Sequence, residues 1–314
     1  MSVDSARNRK VSRGIISVLQ TPFKGDGTVD YDSLGHLITA ALRPGVHGFL
    51  APAVAGEVGF LTRQEREGII QLVTRVVNSR VPFIVGASSE NPDDCRHFAR
   101  LAEQSEAAAF LVAVPQAMYN HLDELFGFFQ SVTAGIHLPL IIQDLQWDGP
   151  GLPLSALVRL KELVPTLTGV KIETAPAGPK YTAVRQALGD DFFVAGGWAI
   201  PQMIEALDRG VDSLIPESSM VAVYSAIYRA HASGDRSKAL RIFRNLIPVL
   251  SFTNQEIGLS IAFFKRLLKR KGVFQSTYMR QPWAGWDKFN LRIADELIEL
   301  YLAMEAEVIM SPRT

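Results

Sequence analysis

Residues 168–173 read Thr168-Gly169-Val170-Lys171-Ile172-Glu173, a short apolar run carrying one cation and one anion two positions apart. Successive side chains of a strand point to opposite faces, so Lys171 and Glu173 share one face while Val170 and Ile172 take the other. With the apolar pair packed under helices, the charged pair faces an enclosed interior. An isolated charge in an apolar medium costs many kcal/mol, so ionisable groups in such places have a partner or a job. Lys171 is therefore a candidate nucleophile. Taken alone, the segment is read more plainly as a structural Lys-Glu pair in a barrel core.

Outward from this run, short β-rich segments alternate regularly with longer helical patterns, the signature of βα units and a parallel sheet. The predicted strands are Gly14-Leu19, Gly48-Ala53, Pro82-Ala87, Ala108-Val114, Pro139-Asp144, Thr168-Glu173, Phe192-Gly196 and Asp212-Pro216. Their near-continuous apolar character suits parallel strands covered on the outer face. Thr62-Arg63-Gln64-Glu65 is a capping-box start, followed by Ile69, Ile70, Val73, Val76 and Val77 at helical spacing. Asp123 to Val132, Leu154 to Val164, Lys180 to Leu188 and Ile200 to Arg209 read as further crossover helices. Eight such units most simply close into a (β/α)8 TIM barrel over residues 14–235. The alternative, an open doubly wound sheet, lacks its Gly-rich turn after the first strand.

Beyond Pro216 only helices follow: Ser219-Ala232, which can serve as the eighth barrel helix, then Arg236-Leu250, Glu256-Lys271 and Asp287-Ala306. Residues 236–314 thus form a C-terminal helical extension whose apolar faces need the barrel's side or another subunit to cover them. Residues 1–13 are polar and read as a frayed start.

Composition narrows the function classes. Of 314 residues, 47% are hydrophobic, and 32 cations balance 32 anions, with no basic cluster pointing to nucleic acid. The one cysteine, Cys95, excludes an intrachain disulfide and fits a reducing compartment. No apolar run reaches membrane length and no signal-peptide pattern is present, so a cytoplasmic protein is expected. His36, His47, His97, His121, His137 and His231 are scattered without metal-ligand spacing and are assigned to surfaces or helix faces. Asp93 and Asp94 fit the first turn of a helix. Trp283 and Trp286 are read as packing or interface anchors, and Asn254, Gln255 and Lys265, which could reach the barrel mouth, are assigned to solvated positions. No metal and no cofactor are expected.

In a barrel the chemistry sits at the carboxyl ends of the strands. That rule selects Gly56 and Glu57 after strand two, Gln143 and Asp144 ending strand five, Lys171 and Glu173 ending strand six, Gly196 and Gly197 after strand seven, and Pro216-Glu217-Ser218 after strand eight. Of these, only Lys171 combines nucleophilic character with a place inside a strand.

With these residues in place, the chain resembles the dihydrodipicolinate synthase and N-acetylneuraminate lyase superfamily of class I aldolase-like barrels. The likeness is carried by Gly56-Glu57 followed by Leu61-Thr62, by Val81-Pro-Phe-Ile-Val-Gly86, by Gly169-Val-Lys171 and by the long helical tail. It implies that Lys171 forms a Schiff base with the C2 carbonyl of a 2-keto acid and that the chain is a homo-oligomer, dimer or tetramer. Departures are as informative as matches. Val54-Ala55 stands where such enzymes carry a threonine pair for the substrate carboxylate, Gln143 where they carry a proton-shuttle tyrosine, and Gln116-Ala117 where a Tyr-Tyr pair is expected. Pro139-Leu-Ile-Ile-Gln-Asp144, Lys171-Ile-Glu-Thr174 and Asn254-Gln255 with Gly258 are similar to the L-2-keto-3-deoxyarabonate dehydratase branch, although Ala53-Val-Ala-Gly-Glu57 is not that branch's motif.

The resemblance implies a lyase that dehydrates a 2-keto-3-deoxy sugar acid, with Lys171, Glu173 and Gln143 catalytic. Val54, Ala55, Gly56, Glu57, Asp144, Gly197, Pro216 and Glu217 are the candidate substrate contacts. Carboxylate recognition is expected from backbone amides near Ala55 and Gly56 or from the strand-eight loop. The alternatives are a pyruvate-dependent aldolase or synthase, and a barrel that only binds a keto acid or a protein partner.

Overall fold

The computed structural model describes residue 11, residues 13–198 and residues 201–310. Most of the predicted frayed start and the beginning of the helix predicted from Ile200 lie outside the described residues. Eight parallel strands close into a barrel in chain order: β1 Gly14–Val18, β2 Gly48–Ala51, β3 Phe83–Gly86, β4 Ala109–Ala113, β5 Leu140–Gln146, β6 Leu167–Thr174, β7 Phe193–Gly197 and β8 Ser213–Ile215. Each predicted strand is present with its ends shifted by one or two residues at most.

The helices are α1 Tyr31–Leu42, α2 Arg63–Val77, α3 Pro92–Gln104, α4 Leu122–Thr133, α5 Leu154–Leu163, α6 Gly178–Leu188, α7 Met203–Asp208 and α8 Val221–Ala232 around the barrel, then α9 Arg236–Thr253, α10 Ile257–Arg270 and α11 Lys288–Met310. The capping box at Thr62 and Glu65 forms as expected, and Asp93 and Asp94 sit in the first turn of α3. Two apolar layers follow from strand alternation. Outward residues such as Val170 and Ile172 pack under the helices, while Ile16, Val18, Leu50, Ile84, Leu111 and Ile141 fill the barrel interior.

The extension departs from expectation. Its middle helix, α10, lies over the carboxyl end of the barrel, so its apolar face covers the mouth rather than the side. Lys265 on α10 is fully buried, not solvated: it pairs with Glu57 and donates to the Tyr278 carbonyl at 2.8 Å. His47 also departs from a surface role, accepting the Ile15 backbone amide at 3.2 Å, with burial lowering its pKa. The last helix leaves Phe289, Leu300, Ile309 and Met310 exposed. Among the described residues, no helix is long and apolar enough to cross a membrane.

Candidate active site

Registration of three neighbouring strands builds the site. Gln143 on β5, Lys171 on β6 and Ala195 on β7 lie side by side, with Leu145 and Glu173 one inward position higher. Strand period turns Lys171 and Glu173 to the interior together, and their charged ends meet at 3.0 Å. Both are nearly buried, Lys171 at 4% and Glu173 at 6% exposure. The other carboxylate oxygen of Glu173 accepts from the Gln143 amide. At that level β7 carries Gly197, where a Cβ would come within 2.2 Å of the Glu173 carboxylate and 2.4 Å of Lys171 Cε. The missing side chain of Gly197 is therefore what leaves room for the pair.

A cavity opens above Lys171. Its β5–β7 side carries Gln143, Leu145, Trp147, Lys171, Glu173 and Trp198. The opposite side, from Val18, Ala53, Val54, Ala55 and Ile215, is apolar apart from Glu217, and α10 adds Ile257, Ser260 and Phe264 as a roof. Trp147 and Trp198 lean on each other with ring centroids 4.6 Å apart. Beside them a second hollow is lined by Glu173, Gly197, Trp198 and Asn254, and the two amide atoms of Asn254 are buried and meet no partner among the described residues. Asn254 is thus at the site, contrary to its solvated reading.

The predicted contacts sort into two groups. Val54, Ala55, Gln143, Lys171, Glu173 and Glu217 line the main cavity, and Gly197 abuts the ion pair. Glu57 does not line it. Its backbone turns left-handed (φ 58°), and its carboxylate accepts from Lys265 and from the amides of Arg280 at 2.7 Å and Gln281 at 2.6 Å. Asp144 follows Gln143 and so faces the other way, where it accepts from Tyr119 Oη and the Leu152 amide, each at 3.0 Å, and from Lys180. Pro216 offers only its carbonyl, to the Val18 amide at 2.7 Å.

Of the donors expected for a substrate carboxylate, those beside Ala55 and several in the strand-eight loop are engaged within the chain, while Ala55 itself lines the cavity. The Gly56 amide donates to Ala53 O at 2.8 Å and the Glu57 amide to Val54 O at 2.9 Å. In the strand-eight loop, the Ser218 amide goes to Gln20, and the amides of Ser219 and Met220 go to Glu217. Glu217 accepts from Gln20 as well, at 2.7 Å. Burial pushes its carboxyl above the usual range, against the pull of the Ser219 and Gln20 donors.

Sequence reasoning missed Trp147, Trp198 and the roof residues. The two tryptophans fall just past the ends of β5 and β7, so the barrel rule could have found them. Ile257, Ser260 and Phe264 carry no such signal, because only tertiary packing places α10 over the mouth.

Comparison with known proteins now has a site to refer to. Residues 11–298 match the model of the dihydrodipicolinate synthetase family. The 4-hydroxy-tetrahydrodipicolinate synthase of Afipia carboxidovorans is 30% identical over 288 residues, covering 90% of this chain and 94% of that one. The protein of the same name from Rhizobium meliloti is 27% identical, covering 86% and 91%. Among solved structures, the 4-hydroxy-tetrahydrodipicolinate synthase of Methylacidiphilum fumariolicum superposes with a TM-score of 0.85 at 20% identity, covering 95% of this chain and 98% of that one. A sialic acid aldolase of Ruminococcus gnavus gives 0.85 at 17% identity, covering 95% and 100%, a likeness of fold.

Proposed function

The chain belongs to the dihydrodipicolinate synthetase family, and on that premise we propose that it is a Schiff-base lyase of small 2-keto acids that dehydrates a 2-keto-3-deoxy sugar acid. The observation that carries the reading is the 3.0 Å contact between Lys171 Nζ and Glu173 Oε1 in a cavity, with Gln143 holding the other carboxylate oxygen.

The contact supplies a complete proton circuit. Glu173 takes a proton from the Lys171 ammonium, and the free amine adds to the C2 carbonyl of the substrate. The carboxyl returns that proton to the departing C2 hydroxyl as water leaves and the iminium forms. Now ionised, Glu173 removes a proton from C3, whose acidity the iminium has raised, giving an enamine. The enamine expels the C4 hydroxyl, protonated by the same carboxyl, as a second water. Loss of a proton from C5 and gain of one at C3 turn the unsaturated iminium into an enol, and addition of water at C2 then breaks the C–N bond, frees Lys171 and releases the product, which tautomerises to the semialdehyde. Gln143 fixes the Glu173 carboxylate between the two carbons it serves.

A second reading, pyruvate-dependent synthesis or cleavage of a C–C bond, draws on the names of the relatives. Products separate the two: pyruvate with an aldehyde marks C–C cleavage, and a deoxygenated keto acid semialdehyde without pyruvate marks dehydration. Borohydride reduction in the presence of a 2-keto acid, with mass spectrometry of the peptide bearing Lys171, tests both. A stable adduct on Lys171 is expected, lost in Lys171→Ala. An adduct that persists in Lys171→Ala refutes the assignment, and no adduct with any of a panel of 2-keto acids refutes the Schiff-base reading.

A further inference from the structure

Two hydrogen-bond donors at the cavity find no acceptor among the described residues. The indole nitrogens of Trp147 and Trp198 are both buried, and neither meets an acceptor among the described residues. A buried N–H without a partner costs about 1–3 kcal/mol, and native proteins rarely leave one so, still less two side by side. Both rings line the cavity that holds Lys171 and Glu173.

The backbone around them is built rather than loose. Trp147 begins the turn after β5, which is tied down by three bonds: Gly151 N to Gln146 Oε1 at 2.8 Å, Ala175 N to Gly149 O at 3.0 Å, and Leu152 N to Asp144 at 3.0 Å. Trp198 adopts a left-handed backbone (φ 55°), a conformation that a bulky aromatic residue seldom takes and that costs of the order of 1–3 kcal/mol. That conformation follows directly on Gly197, so the chain turns sharply just where it passes the ion pair and sets the indole against Trp147.

The rest of the lining leaves these indoles a definite task. The Val18, Ala53, Val54, Ala55 and Ile215 side is apolar apart from Glu217, whose carboxylate already takes Gln20 and the amides of Ser219 and Met220, and the amides of Gly56, Glu57 and Ser218 are engaged within the chain. Ser260 on the roof donates its hydroxyl to the Thr253 carbonyl. A ligand tethered at Lys171 and carrying hydroxyls therefore finds its unengaged side-chain N–H donors on the tryptophan side.

We propose that Trp147 and Trp198 form the wall that selects hydroxylated 2-keto acids, the two indole N–H groups donating to oxygen atoms of the substrate's hydroxyl-bearing tail while the ring faces cover its C–H groups. This rests on the Schiff-base reading for the position of C2. The indoles bind and orient the tail and take no part in proton transfer. They favour a polyhydroxylated chain over pyruvate, which has no hydroxyl to offer.

The test uses Trp147→Phe and Trp198→Phe in the full chain, since phenylalanine keeps a ring and deletes only the N–H and the second ring. Affinities for pyruvate and for a 2-keto-3-deoxypentonate are measured by titration calorimetry, with borohydride trapping on Lys171 recorded in parallel. Each variant is expected to lose about 10-fold in affinity for the pentonate, with pyruvate changed less than twofold. KM for the pentonate should rise while kcat stays within about threefold. Equal losses for both acids, or no loss for either, overturn the wall. Unchanged trapping with such a result leaves the Schiff base standing. Absence of trapping in the parent, with the pentonate still bound through the indoles, removes the Schiff base and keeps the wall; no binding of either acid removes both. If one variant fails to fold, judged by its thermal midpoint, the other decides.

Discussion

Two lysine–glutamate pairs are buried in this molecule, and they differ in what is left over. Lys265 and Glu57 are wholly enclosed, and every charged end is engaged: Lys265 also reaches the Tyr278 carbonyl, and Glu57 also takes the amides of Arg280 and Gln281. This pair ties α10 and the segment before α11 to the loop after β2. Desolvation lowers the pKa of Lys265 to about 8 despite the pull of Glu57. Lys171 and Glu173 are almost as buried, yet they border a cavity, and around them stand indole and amide groups that meet no partner among the described residues. Burial of charge is common to both. Among the described residues, unpartnered polar groups beside a cavity belong to one pair alone, and that is what marks a site for chemistry.

The largest effect that could break this contrast is expected at Glu173. Glu173→Gln keeps the shape and the contact with Lys171 but cannot carry a proton, so turnover should fall by roughly 10²–10⁴-fold. Borohydride adducts on Lys171 should form more slowly, because no carboxylate relays the proton from its ammonium to the departing C2 hydroxyl, and the thermal midpoint should hold. A variant with parental turnover makes this pair as structural as the other.

Lys265→Met is the converse experiment. It strands the Glu57 carboxylate in a sealed interior, and losing one partner of a buried pair costs about 3–5 kcal/mol of stability. Urea unfolding should show that loss, while folded protein still forms the Lys171 adduct. If stability is kept and trapping disappears, the two pairs have exchanged roles.

Gly197→Ala sharpens the contrast by crowding only the cavity pair. Its Cβ would sit 2.2 Å from Glu173 Oε1 and 2.4 Å from Lys171 Cε, and those are ends of side chains that can move. The backbone then survives while the reacting groups are displaced, so kcat/KM should drop by about 100-fold at a nearly unchanged thermal midpoint. Equal loss of stability would show that the pair is held by the fold more tightly than a reactive pair should be.

How much of this was legible beforehand follows from the range of the forces involved. The eight strands were readable because parallel strands covered outside are continuous apolar runs, a local signal. Lys171 and Glu173 were readable from period two, which is also local, and the same rule turns Asp144 away from Gln143. Glu57 was not readable from its place after a strand. Its direction is set by a left-handed backbone, and its partner lies 208 residues away. Nor does sequence spacing show that α10 roofs the mouth, since its buried face would pack equally well on the barrel's side.

The smallest predicted effect lies at the edge of the sealed pair and concerns acid. Arg280, whose amide serves Glu57, sends its guanidinium to both carboxylate oxygens of Glu65, at 2.6 and 2.8 Å, and to the Gly27 carbonyl. Those bonds, with the capping contacts from Thr62, hold the Glu65 carboxyl down at about 2, from an ordinary value of 4.5. A carboxyl depressed on folding contributes stability that is complete above its unfolded pKa and disappears as pH falls towards the folded one. Stability linked to Glu65 should therefore decline between about pH 4.5 and pH 2. Thermal midpoints measured across that window should fall less steeply in Glu65→Gln, which has no charge to lose, than in the parent. The enclosed pair is thus tied to an acid-sensitive clasp that the cavity pair does not share, and identical slopes in the two proteins would break that last difference between them.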